Sequence, residues 1–227
     1  MAFAPAFGRP FAPTFDRHAA AAATGWWVVA GKTCVAAYQP KGAADLATSY
    51  VNLANPGTYD AAPGVAPTWA SATGWTGDAA TMYLTTGITV ASASWSVLIR
   101  QSNIPNGAVL PFGSRDSLDR RFTILGNFGG TIYYEYGAAT TGWLAISASI
   151  SSGVLGMAGA KCYRNGVEEL GAISAVAVST LPIVLLAWNN EGSIGGSTSA
   201  SIQAFAIYSG VLSAVQMATV SAAMAAL

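Results

Sequence analysis

The sequence predicts an all-β fold, a large β-sandwich followed by one short C-terminal helix. Three observations predict it. From Gly25 onward, short runs rich in β-branched and aromatic residues alternate with turn signals. Gly, Asn and Pro stand at the breaks between the runs, and helical spacing of apolar residues appears only at the end. Many short strands punctuated in this way indicate a sandwich or barrel. With 227 residues the chain is long enough to build it as one domain, residues 25–227.

Residues 1–24 stand apart from that domain. Phe3-Ala4-Pro5-Ala6-Phe7-Gly8-Arg9-Pro10 is followed at once by Phe11-Ala12-Pro13-Thr14-Phe15-Asp16-Arg17-His18, nearly the same octad twice. Proline fixes φ and removes an amide donor, so this arm is expected to be extended. It cannot bury its aromatic pairs against itself. It reads as a partner-binding arm: Phe3, Phe7, Phe11 and Phe15 as anchors, Pro5 and Pro13 pre-ordering the backbone, and Arg9 and Arg17 as clamps for carboxylates or carbonyls. Two like octads imply two like pockets on a partner surface.

The predicted strands follow in order at 26–29, 35–38, 82–85, 95–100, 108–112, 122–127, 131–135, 144–148, 156–164, 176–179, 183–188 and 202–208. Between them lie NPG, GDAA, PNG, NFGG and NNEGSIGG. Asn165-Gly166, between KCYR and VEEL, fits the tight turn with two positive-φ residues and predicts a hairpin. At the end, Ser213 and Gln216 have capping-box spacing, and Met217, Val220, Met224 and Leu227 share one helical face. Residues 170–188 carry no charge, but Pro182 divides them into two short halves, which predicts two buried strands and no membrane span.

Composition narrows the function. Ten basic and ten acidic residues leave no net charge and no basic stripe, which excludes nucleic acid as a partner. Only 9% of residues are charged, against roughly 25% in ordinary globular chains. Such a neutral surface favours association, and a homo-oligomer is expected. No secretion signal is evident at the N-terminus, so Cys34 and Cys162 are expected to be reduced and buried.

Several phrases in their order resemble one family. Gly74-Trp75-Thr76-Gly77 running on to Tyr83-Leu84-Thr85-Thr86-Gly87, then SWSVLIR (94–100), YRNGVEE (163–169) and the ending SIQAFAIYSGVLSAVQMATVSAAM (201–224) are similar to the concanavalin A-like, laminin-G-type jelly roll. The resemblance covers roughly residues 25–227 and implies a jelly-roll β-sandwich. The pairing of such a module with a Pro/Phe arm resembles tailed-bacteriophage virion proteins of the head-decoration, head-fibre and tail-fibre kinds. It implies a non-enzymatic structural protein, made in the host cytoplasm, that binds capsid or tail subunits through the arm. The alternative is a carbohydrate-binding, lectin-like module or adhesin.

The residues give little support to catalysis. The single His18 lies in the arm, and no HExxH, GxSxG or Walker-type phrase occurs. Glycosidases on related jelly rolls use Glu-x-Asp-x-x-Glu or Glu-x-Asp-x-Glu, and the chain has neither. Asp116 and Asp119 are interleaved with Arg115, Arg120 and Arg121, which predicts ion pairs. No cofactor and no metal are expected: Asp60, Asp78, Asn190 and Glu191 offer scattered oxygens without a cluster. Possible glycan-binding residues are Trp143 and Trp69, in loop-like text, and Tyr134 with Tyr136, which share a strand face. Trp95 and Trp188 lie in apolar runs and read as core.

Overall fold

The computed structural model describes residues 25–138, 140–174 and 176–227, so the arm with its repeated octads lies outside the described residues. The chain enters through β1 (Cys34–Tyr38), one helical turn α1 (Leu46–Ser49), β2 (Ala62–Val65), β3 (Thr68–Ala70), β4 (Gly74–Thr76) and β5 (Tyr83–Thr85). Longer strands follow: β6 (Ser96–Ser102), β7 (Phe112–Arg115), β8 (Arg120–Phe128), β9 (Thr131–Ala138), β10 (Trp143–Ile146) and β11 (Gly153–Ala158). Then come β12 (Lys161–Arg164), β13 (Val167–Glu168), β14 (Val184–Leu185), β15 (Trp188–Asn190), β16 (Ser193–Gly195), β17 (Ser201–Tyr208) and the helix α2 (Ala214–Ala225).

These strands form the two stacked sheets of a jelly-roll sandwich. One runs β13-β12-β11-β6-β17-β4-β3, with β1 also paired to β17; the other runs β10-β9-β8-β7-β14-β5-β2, with β15 and its hairpin partner β16 set beside β7. The core between them follows from strand alternation. Tyr38, Trp75, Val97, Ile99, Leu155, Met157, Phe205 and Ile207 of the first sheet meet Leu84, Phe112, Phe122, Ile124, Ile132, Tyr134, Tyr136 and Leu185 of the second. Its polar edges are satisfied locally. Trp75 donates its indole N–H to Ser49 Oγ at 2.7 Å. The fully buried Asn52 accepts from the amide of Ala37 and donates to the carbonyls of Val35 and Thr58.

The opposite face of the first sheet is also apolar, and α2 covers it. Leu98, Val154, Ala204, Ala206 and Tyr208 pack against Met217, Val220 and Met224, with Trp26, Val29, Cys34 and Leu227 at the margin. The small side chains at 204 and 206 admit the helix, and Gly156 lets it approach: a Cβ there would lie 2.7 Å from Met217 Cε and 2.9 Å from the Val97 carbonyl oxygen. The helix begins with the capping box of Ser213 and Gln216, and Arg100 donates to the carbonyl of Met224 at 2.6 Å, near its C-terminal end.

The Asn165-Gly166 turn takes two positive φ values, 50° and 81°, and pairs Arg164 with Val167. Elsewhere the expected strands need correction. Residues 26–29 form a turn, 108–111 a loop that precedes β7, and 176–179 no strand. The run 156–164 is two strands, because Gly159, at φ 56°, turns β11 back into β12. The run 183–188 breaks at Leu186, whose φ of 66° ends β14 and starts a new direction in β15. Cys34 and Cys162 are free thiols, half-buried and buried, on β1 and β12.

Candidate functional site

The outer face of the second sheet is not covered by a helix among the described residues, and it holds a groove. Strand alternation creates its floor. Ile132, Tyr134 and Tyr136 of β9 point into the core, so Tyr133 and Glu135 point out. On β8, Phe122 and Ile124 point in, leaving Arg121 and Leu125 outward; Leu125 stands opposite Tyr133 in the register. The rest of the lining comes from Ala108 and Leu110 of the loop before β7, Trp188 of β15, Gly196 just after β16, and Phe128 at the end of β8. These residues enclose about 450 Å³. Gly196, at φ 58°, sits against Leu110 and Trp188, and a Cβ there would lie 2.5 Å from Leu110 Cδ1.

Rings dominate the approach. Phe128, Tyr133 and Trp143 form a row with centroid spacings of 5.9 Å on each side of Tyr133. Phe128 is 46% and Trp143 40% exposed, unusual values for side chains of this size. Trp188 is held by two cations, the guanidinium carbons of Arg115 and Arg121 each 5.9 Å from its ring centroid.

A charged lattice fixes those arginines. Arg121 donates from Nη1 to Glu135 Oε1 at 3.0 Å and from Nε to Asp119 Oδ1 at 3.0 Å. Arg115 pairs with the same Asp119 oxygen, donates to Asn190 Oδ1 at 2.9 Å, and lies 3.5 Å from Glu191 Oε1. Burial raises the Glu135 carboxyl, with Arg121 opposing the rise. Asp116 anchors the loop between β7 and β8. It is 3% exposed and accepts from Arg120, Leu118 and the Thr180 amide. Burial alone would raise its carboxyl, but these donors, Arg120 foremost, bring it down to about 2. The ion pairs expected in SRDSLDRR are present, with Asp116 buried.

The expected glycan-binding residues separate. Trp143 is exposed beside the groove, on edge strand β10. Trp69 is half-buried against the core, its indole N–H donating to the Pro40 carbonyl at 2.8 Å. Tyr134 and Tyr136 do share a face, but it is the core face, and both are fully buried. Their hydroxyls act inside the fold: Tyr134 donates to the Tyr163 carbonyl across the two sheets at 3.1 Å, and Tyr136 to Ser92 at 2.6 Å. Burial pushes the Tyr136 phenol up to about 12. Neither ring offers a stacking surface to a ligand. Trp188, read as core, is instead a wall of the groove.

Tyr133, Glu135, Arg121 and Leu125 carry the floor; the sequence marks Arg121 only as an ion-pair partner and none of the four as a binding residue. The signal for two of them lies in IYYEY: the charge at Glu135 marks the solvent face of that strand, and Tyr133 shares its parity. The oxygens that suggested a cation are spent on the fold. Asp60 accepts from Asn52 and Gly57 amides, Asp78 from those of Ala80, Thr81 and Met82, and Asn190 from Arg115. No group of three or more metal-ligating side chains occurs among the described residues. No helix among them is long and apolar enough to cross a membrane.

No protein-family model matches this chain, and no curated protein matches it. Among solved structures it is similar to a mutant of Trypanosoma rangeli sialidase displaying trans-sialidase activity, at 14% identity and a TM-score of 0.58, covering 85% of this chain and 33% of that one. It is similar as well to the binding domain of botulinum neurotoxin serotype D, at 12% identity and a TM-score of 0.54, covering 84% and 50%. A shorter overlap links it to the NanB sialidase from Streptococcus pneumoniae, at 19% identity and a TM-score of 0.43, covering 57% and 24%. The chain thus spans half or less of each of these proteins. At such identities the first two likenesses show a shared β-sandwich fold alone.

Proposed function

We propose that this chain is a non-catalytic carbohydrate-binding module and that its ligand lies in the groove on the outer face of the second sheet. The observation that carries the reading is the set of rings on one open face: Trp188 and Tyr133 line a groove of about 450 Å³, with Phe128 and Trp143 at its margin. Sugar rings present apolar C–H faces that lie on aromatic rings, while their hydroxyls need a few fixed polar partners. Arg121 and Glu135 supply those partners. The sandwich is shared with the toxin segment described as a binding domain, which supports the reading at the level of fold alone.

The non-catalytic reading is supported by the two carboxylates at the groove, Glu135 and Asp119, each of which is paired to arginine. The test is a glycan array followed by calorimetry on the hits, with Trp188→Ala and Tyr133→Ala alongside. Loss of one stacking ring should weaken binding at least about tenfold, a change of about 1.4 kcal/mol. Unchanged affinity in both variants would remove the groove from consideration.

A second reading concerns attachment. The repeated Phe-Ala-Pro octads favour an anchoring role for residues 1–24, in a virion or another large assembly. Comparing binding to shell or tail subunits by the full chain and by a chain starting at Gly25 tests it; equal binding by both would refute the anchor.

A further inference from the structure

We infer that the groove selects uncharged saccharides and rejects those carrying a carboxylate. The inference rests on the carbohydrate-binding reading above and adds the class of ligand. An acidic sugar is normally held by an arginine whose donors are free to meet it. This groove has one cation among its lining residues, Arg121, and it is committed twice, to Glu135 through Nη1 and to Asp119 through Nε. The second guanidinium over Trp188, that of Arg115, is committed to Asp119, Asn190 and Glu191. The third arginine of the same loop, Arg120, closes on Asp116 at 2.6 Å.

The lattice around Trp188 therefore holds two guanidiniums against three carboxylates, Asp119, Glu135 and Glu191. An incoming carboxylate meets a net negative site. Arg121 keeps only Nη2 uncommitted, so a carboxylate that reaches it must sit beside the Glu135 carboxylate, whose side chain is only 12% exposed and already paired there. A neutral sugar meets no such conflict. Glu135 spends Oε1 on Arg121 and keeps Oε2 for a hydroxyl donor, and the rings of Trp188 and Tyr133 contact the sugar face without regard to charge.

The experiment is calorimetry at low ionic strength, where repulsion between charges is least screened. The full chain is titrated with a neutral oligosaccharide from the array and with the same oligosaccharide carrying a terminal sialic acid, and again with a neutral glycan and its uronic-acid counterpart. The acidic member of each pair should bind at least about tenfold more weakly, and Glu135→Gln should narrow that gap. Equal or tighter binding of the acidic member, still lost in Trp188→Ala and Tyr133→Ala, overturns the charge selectivity and leaves the groove in place. Glycan binding that survives both ring variants overturns the groove itself. If no glycan on the array binds the full chain, the carbohydrate reading falls and this inference falls with it.

Discussion

Replacing Asp116 by Asn removes one charge from the loop that holds the groove's arginines, and the structure sets the size of the effect. Oδ1 of Asp116 accepts from the amides of Leu118 and Arg120 at 3.1 and 3.2 Å, and an Asn keeps that acceptor. Oδ2 accepts from Arg120 Nε at 2.9 Å and from the Thr180 amide at 3.1 Å. An Asn would turn an NH₂ group toward those donors. Losing a hydrogen bond to a charged partner costs about 1.5–3 kcal/mol. A second route gives a similar figure: the carboxyl moves from 3.8 to about 2 on folding, which stores about 2 kcal/mol at neutral pH. Because the folded value is the lower one, this stability is fully present above the unfolded value and is lost as pH falls through the folded one. Roughly half of it should be gone by pH 3. Urea unfolding should therefore place Asp116→Asn about 2–3 kcal/mol below the wild-type protein at pH 6, with the gap about 1 kcal/mol smaller at pH 3. A gap under about 0.5 kcal/mol at pH 6, within the range of ordinary surface substitutions, would refute the reasoning. So would a gap that does not move with pH.

Two further outcomes follow from the packing. Gly156→Ala puts a methyl group 2.9 Å from the Val97 carbonyl oxygen and 2.7 Å from Met217 Cε, so the Met217 side chain must repack and β11 must shift against β6; thermal unfolding should show a loss of about 1–3 kcal/mol, and an unchanged midpoint would mean that the packing there is slack. Burial pushes both the Cys34 and Cys162 thiols up to about 12, so at pH 8 a thiol-disulfide reagent should label neither in the folded protein and both in urea, and rapid labelling of the native chain would contradict the packing around them.

Sequence and structure agree where local chemistry decides the outcome. Asn165-Gly166 has one favoured turn and makes it, and Ser213 with Gln216 caps the final helix as their spacing requires. Agreement fails where an unbroken apolar run hides a change of strand. In IVLLAW every residue from Ile183 to Ala187 is buried, yet the left-handed φ of Leu186 ends β14 within the run, and Trp188 of β15 stands in the wall of the outer groove. Nothing in the side chains of that run announces the break. For Tyr134 and Tyr136 the periodicity was sound and the face was not: two tyrosines on one side look like a platform until Glu135 is used to mark which side is wet. The short strands β3 and β4 make a local hairpin, but β4 joins the sheet through two pairs with β17, Ser201 opposite Thr76 and Ile202 opposite Trp75, far away in the chain. Short-range pattern cannot supply such pairings.

The two faces of the sandwich are finished differently, and this gives the module a front and a back. Trp26 and Val29 pack among the residues around α2, whereas the groove opens on the opposite sheet. A tether fixed ahead of Gly25 would thus hold the domain by its helical side and turn the Trp188 groove away from whatever it was fixed to. Copies arrayed on a surface would all present that groove outward, and weak individual contacts would add through their number.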